Sequence, residues 1–323
     1  MKTKRLPFSI AVIGDINADL SFRLPTFPRE GDDTAVTALR WGSGGGGLNM
    51  AVALARLGAR SYLVGRVGAD LAADVALYVA RQSEVDLSFL QADRDVPTGL
   101  CGVMVSPSGQ RSFLSFRGAN VGCDPALIGR SMLSGQALLL VSSYALLDPP
   151  QQLAALHAID IAVGLGIPCA LDLCLPAIRL ARDLVMATIP KLRLLTLNED
   201  ELHTLLPGQG LQQGCDTLIA SGAQAVVVKR GAQGCSVADP TTWINIYPSV
   251  PVVAIDTNGC GDAFTAGFVW ALLHGCDLAD CAELANLMGA LTATQPGAAN
   301  AIPTREALDL CLDPRIAAKL ADL

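Results

Sequence analysis

Aromatic side chains are scarce in this chain. They make up 5% of its 323 residues, and charged residues only 16%. Alanine, leucine, glycine and valine dominate instead, a mix that favours stacked α/β layers over a β-sandwich. Histidine is nearly missing. His157, His203 and His274 stand alone, so neither a histidine metal cluster nor a Ser-His-Asp arrangement is in view. Basic residues are outnumbered, 23 against 30, and the net charge of −7 argues against a nucleic-acid partner. No window approaches the roughly 18 uninterrupted apolar residues of a membrane helix. Residues 1–7 are basic, but no apolar signal core follows them. The expectation is a soluble, cytoplasmic protein with no membrane partner. The ten cysteines include no Cys-x-x-Cys pair, and Cys169/Cys174 and Cys276/Cys281 are the closest spacings. Reduced thiols acting as small hydrophobes are the natural reading. No Gly-x-x-x-x-Gly-Lys-Ser/Thr occurs, which excludes a P-loop.

Half of the residues are hydrophobic, enough to bury a large core. Residues 9–14 read as a buried first strand that ends in a polar cluster, Asp15, Asn17 and Asp19. In an open parallel sheet this is the ligand-binding end. Asn17 and Asp19 can hydrogen-bond hydroxyls there, or simply make Asx turns. Residues 20–24 with 34–41, and 99–105 with 112–116, look like antiparallel pairs. They suggest a small lid built from about 17–41 and 97–118. Between these pieces, Gly42 to Gly47 match Gly-x-Gly-x-x-Gly, and residues 48–58 form a helix. The strand before this match belongs to the lid, so a dinucleotide site is the weaker reading. A close backbone approach to a small polar ligand, with Asn49 facing it, is the alternative. From residue 137 onward, strands at 137–142, 168–173, 192–197 and 225–229 alternate with helices at 150–165, 176–188, 199–206 and 215–221. This predicts a doubly wound, mostly parallel sheet in one domain, residues 1–323.

The stretch Ile255-Asp256-Thr257-Asn258-Gly259-Cys260-Gly261-Asp262-Ala263-Phe264 joins an apolar run, 250–255, to a long helical segment. A glycine-rich strand-to-helix turn aims N–H groups at one point and adds the helix dipole, which suits an anion. A carboxylate beside an anion site makes sense if Asp262 removes a proton from whatever attacks that anion. An ordinary turn with a capping Asp is the plain alternative.

With these pieces placed, the chain resembles the ribokinase-like (PfkB) family of carbohydrate and nucleoside kinases. Residues 44–58 look like its N-terminal glycine-rich signature. Residues 256–264 look like its Asp-Thr-x-Gly-x-Gly-Asp-x-Phe signature, and the segments 14–19 and 117–120 are also similar. The resemblance implies a kinase that uses ATP and Mg²⁺. Asp262 would be the catalytic base, and the amides of Asn258, Gly259, Cys260 and Gly261 an anion hole. Asn198 and Glu201, matching Asn-x-x-Glu, would act on the metal through water. Lys229, Gly231, Gly234 and Asn286 would contact the nucleotide. Asn17, Asp19, Gly45, Gly46, Asn49 and Asp262 would hold the substrate. Family members often bind a monovalent cation, K⁺, and Asp256 and Asn258 with residues 292–300 would supply that site.

Two departures bear on the substrate. Ribokinases typically carry Lys where this chain has Gly46, and no Glu occurs at residues 141–144, where Ser143 is the marked position. The implied substrate is a small sugar phosphorylated on a hydroxymethyl group, with a nucleoside as the alternative. A NAD(P)-dependent oxidoreductase and a non-catalytic scaffold are the more distant rivals. Exposed lid edges would be covered by pairing lids in a homodimer.

Overall fold

The computed structural model describes residues 8–107, 111–247 and 251–312, together with 314 and 317. Two sheets are present among them. The larger has nine strands in the order β13-β12-β11-β10-β9-β8-β1-β4-β5. These are β1 Ser9–Ile13, β4 Arg60–Gly68, β5 Leu90–Asp93, β8 Leu138–Ser142, β9 Cys169–Asp172, β10 Leu194–Asn198, β11 Val226–Lys229, β12 Cys235–Ala238 and β13 Trp243–Tyr247. The run from β11 to β5 is parallel, while β12 and β13 form an antiparallel edge.

Both faces of this sheet are covered, which explains its continuously apolar strands. In β1, Ile10 and Val12 join one core while Ala11 and Ile13 join the other. Leu138 and Leu140 of β8 likewise face away from Leu139 and Val141. The helices Gly46–Arg56, Cys260–Leu273 and Leu278–Ala293 cover the first face, and Gln151–Gly164 and Leu175–Thr188 the second. The expected helix at 215–221 is Leu211–Ala220.

The smaller sheet has the order β3-β2-β6-β7, with β2 Asn17–Arg23, β3 Ala38–Gly44, β6 Gly99–Val105 and β7 Arg111–Phe116. Both expected hairpin pairs are antiparallel, and β2 and β6 join them in parallel. Strand β3 starts and ends later than 34–41, so the Gly42 to Gly44 stretch is itself strand. The Gly-x-Gly-x-x-Gly match therefore leaves an antiparallel sheet, not the first parallel strand that a dinucleotide fingerprint needs.

Two further corrections concern local structure. Residues 60–93, with no expected elements, supply β4, the helix Leu71–Gln82 and β5. Residues 251–255 are not strand; they run irregularly, with Val253 and Ile255 exposed. Ile255 N–H donates to the carbonyl of Ala293, so the segment is tied to a helix end instead of a sheet. Val250 lies outside the described residues.

Candidate active site

The carboxyl ends of the parallel strands converge on one place. Beyond β1 come Asp15, Asn17 and Asp19; β8 ends in Ser142, β9 in Asp172, β10 in Asn198 and β11 in Lys229. The helix Cys260–Leu273 points its N-terminus at the same place. Its cap, Gly259, has φ of 76°, a left-handed conformation in which glycine carries no Cβ penalty. The N–H groups of Gly259 and Gly261 have no hydrogen-bond partner among the described residues. They are donors of the kind that a helix start leaves open. Asn258 does not join them, because its N–H donates to Asp256 Oδ1 at 2.9 Å. The Cys260 N–H donates to the Thr257 carbonyl at 3.4 Å, so the expected anion hole is narrower by two amides. Burial pushes the Cys260 thiol up to about 12.

Asp262 sits in the first turn of that helix. Asn49 Nδ2 donates to its Oδ2 at 2.7 Å, and Asn49 Oδ1 is buried with no hydrogen-bond partner among the described residues. Burial and the nearby Asp172 carboxylate raise Asp262 to about 7, against the opposing pull of Asn49 and Lys229. The carboxyl is thus poised to accept a proton near neutrality. Asp19 is also pushed up to about 7 by burial, with Asn258 Nδ2 donating to it at 3.3 Å. Gly44 makes this possible: a Cβ there would lie 2.2 Å from Asp19 Oδ2. Gly45, with φ of 94°, presses so closely on β1 that a Cβ would stand 2.3 Å from the Asp15 carbonyl.

Gly46 faces Ser142. A Cβ on Gly46 would come 2.7 Å from Ser142 Oγ and 3.6 Å from Asp262 Oδ1. The residue opposite Gly46, where the lysine is missing, is therefore Ser142. Ser143 opens a short 3-10 turn and is fully buried behind the site.

Two cavities meet here. One, of about 490 Å³, is lined by Gly231, Gly234 and Asn286 and by apolar Val252, Phe264 and Ala290. The other, of about 350 Å³, is lined by Ser142, Tyr144, Asp172, Asn198, Glu201 and Asp262. Lys229 and Gly261 line both. Lys229, expected at the nucleotide, thus stands between the two cavities. Its Nζ lies 2.6 Å from Asp172 Oδ1. Burial works against its charge, but Asp172 and Glu201 more than offset this and hold it protonated. The same Asp172 oxygen accepts from Thr196 at 2.5 Å and Thr265 at 2.7 Å.

Asn198 and Glu201 cap each other. Asn198 Oδ1 accepts from the Glu201 N–H and Glu201 Oε2 from the Asn198 N–H, at 2.8 and 2.7 Å. Burial raises Glu201 to about 7, with Lys229 pulling the other way. Among the described residues no cluster of three or more His, Cys, Asp or Glu could cage a metal. A magnesium ion keeps most of its waters and takes phosphate oxygens, so one free Glu201 oxygen and the Asn198 amide suit contact through water. Asp256, expected at a monovalent-cation site, already pairs with Arg111 of β7 at 3.1 Å and accepts from Gly297 N–H at 2.8 Å.

Against this geometry, residues 8–305 match the model of the pfkB family carbohydrate kinases. The chain belongs to the pfkB carbohydrate kinase family. It is 28% identical over 304 residues to ribokinase of Bacillus subtilis, covering 93% of this chain and 98% of that one. It is 29% identical over 302 residues to an ATP-dependent ribose-1-phosphate kinase of Halopiger xanaduensis, covering 94% and 97%. The structure of Arabidopsis thaliana ribokinase complexed with ribose and ATP superposes with a TM-score of 0.81. That match has 24% identity and covers 94% and 97% of the two chains. As a pfkB carbohydrate kinase the chain is a phosphotransferase acting on a sugar hydroxyl, and the oxidoreductase and scaffold readings fall away.

Four residues at this place were not expected as site residues: Ser142 and Asp172, and Gly44 and Asn120, which the sequence shows only as parts of the 44–58 and 117–120 segments. Asn120 is fully buried and donates to Asn17 Oδ1 at 2.9 Å, which fixes the orientation of the Asn17 amide. A polar residue ending an apolar strand was the available signal for Ser142 and Asp172.

Proposed function

We propose that the chain transfers the γ-phosphoryl group of ATP to a hydroxymethyl group of a small sugar. The observation that carries this is the position of Asp262, partnered by Asn49 and lining the smaller cavity next to Gly261, which lines both. The larger cavity has apolar walls suited to a nucleobase. Asn17, Asp19, Asn49 and Ser142 supply hydrogen-bonding groups for an acceptor.

Asp262 takes the proton of the acceptor hydroxyl as its oxygen bonds to the γ-phosphorus. The bond from that phosphorus to the β,γ-bridging oxygen breaks, and ADP leaves. The amides of Gly259 and Gly261 and the Lys229 ammonium face the charge that develops. Mg²⁺, held through water by Asn198 and Glu201, would neutralise the phosphates. Any K⁺ near Asp256 would rest on backbone carbonyls, because Arg111 already neutralises that carboxylate.

The small sheet acts as the lid over the acceptor. Its register puts Asn17 and Asp19 on one face and Leu20, Phe22, Leu39, Trp41, Leu114 and Phe116 on the other. Several of these outer residues are half exposed or more. A homodimer joined through this face would cover them. Free cysteines throughout and no helix fit to cross a membrane, among the described residues, accord with a cytoplasmic enzyme.

The test is ADP release from ATP across neutral sugars and nucleosides. Sugar-dependent release is the expected result. Release only with nucleosides would favour the nucleoside kinase, and release with none would refute the proposal.

A further inference from the structure

The kinase reading leaves open whether the acceptor carries charge. Similarity does not decide it, because ribokinase and the ribose-1-phosphate kinase stand at 28% and 29% identity. The charges around the acceptor cavity do.

A phosphate or carboxylate on the acceptor would need a cation from the protein, and among the described residues Arg111, Arg117 and Lys229 each already hold a carboxylate. Arg117 grips both oxygens of Asp15 at 3.0 Å and reaches Asp148 at 2.8 Å. Its remaining contacts are the Tyr144 carbonyl and Gln151. Arg111 is held by Asp256, and Lys229 by Asp172 at 2.6 Å. Lys229 is also the only basic residue among the described residues lining the cavity, and with Asp172 taken up by it, Glu201 and Asp262 are left as the unpaired carboxyls there.

The oxygens that the protein leaves open point the same way. Asn258 and Asn49 donate to Oδ2 of Asp19 and of Asp262, so among the described residues Oδ1 of each carboxylate is open to a ligand donor. Hydroxyls supply such donors, and a phosphate dianion offers none. Ser142 Oγ makes no hydrogen bond to protein among the described residues and adds a hydroxyl-scale partner beside Gly46. A lysine at position 46 would have supplied a cation, but Ser142 fills the space its Cβ would take.

We infer that the acceptor is an uncharged polyhydroxylated molecule, and that phosphate- and carboxylate-bearing sugars are excluded by the negative, cation-committed wall of the site. This rests on the kinase reading above.

Matched pairs test it: ribose with ribose 1-phosphate, fructose with fructose 1-phosphate, and glucose with gluconate. Each is assayed by ADP release at pH 8 with equal free Mg²⁺. Like charges brought together in such a site should lower kcat/KM by on the order of a hundredfold or more. The expected result is turnover of at least one neutral sugar, with its charged partner at least about a hundredfold poorer. A charged member used as well as or better than its neutral partner would overturn the inference while leaving the kinase reading intact. No ADP release with any acceptor, neutral or charged, would overturn both.

Discussion

Asn49 Nδ2 donates to Asp262 Oδ2 at 2.7 Å, across 213 residues of sequence. The contact joins the glycine-rich helix start to the helix carrying the base. It orients the carboxylate and leaves the other oxygen, Oδ1, on the Gly46 side. A hydrogen bond to a charged group contributes about 1.5–3 kcal/mol. Asn49→Ala is therefore expected to lower kcat/KM for the sugar by roughly tenfold to a hundredfold. The KM for ATP should stay close to its original value. Steady-state kinetics with each substrate varied would check both.

The base also sets a pH dependence. Asp262 is active when deprotonated, and burial raises it to about 7. Activity should therefore fall as pH drops below 7, approaching tenfold per unit on the acid limb. Because Asn49 pulls that value down, Asn49→Ala should move the limb to higher pH. Stability runs the other way. Asp19, Glu201 and Asp262 are all raised in the fold, so folding favours their protonated forms. Their penalty is absent below the unfolded carboxylate range, grows toward pH 7 and is complete above it. As far as these groups decide it, the Tm should be higher at pH 6 than at pH 8.

Gly46 and Ser142 should behave as a coupled pair. Gly46→Ala puts a methyl group 2.7 Å from Ser142 Oγ. Overpacking of this kind costs about 1–3 kcal/mol, and sugar KM should rise. Adding Ser142→Gly removes the clash and should recover most of the lost stability. Thermal unfolding of the two single variants and the double variant gives the coupling.

How much of this could be read in the chain beforehand follows from how local each signal is. Asp262 was legible because its glycines, its helix start and its carboxylate lie within a few consecutive residues. The parallel sheet was legible in short apolar strands spaced by helices. Asp172 was not, because its meaning comes from Lys229, Thr196 and Thr265, the last 93 residues away. That Ser142 faces Gly46 was not legible for a similar reason: only the strand's pleat decides which of two adjacent serines does so. Residues 251–255 looked like a strand because they are apolar, yet they hold no ladder, and Pro251, Val252 and Ala254 among them line a cavity. Their hydrophobicity serves a ligand wall and not a sheet.

The most direct measurement is single-turnover phosphoryl transfer by Asp262→Asn on the neutral sugar that the wild type uses best. The amide keeps the size of the side chain and one oxygen, but cannot take up the proton. A fall of about 10²–10⁴-fold in the rate, with ATP binding close to wild type, is the expected result. Transfer at a rate near that of the wild type would contradict the assignment of Asp262 as the base.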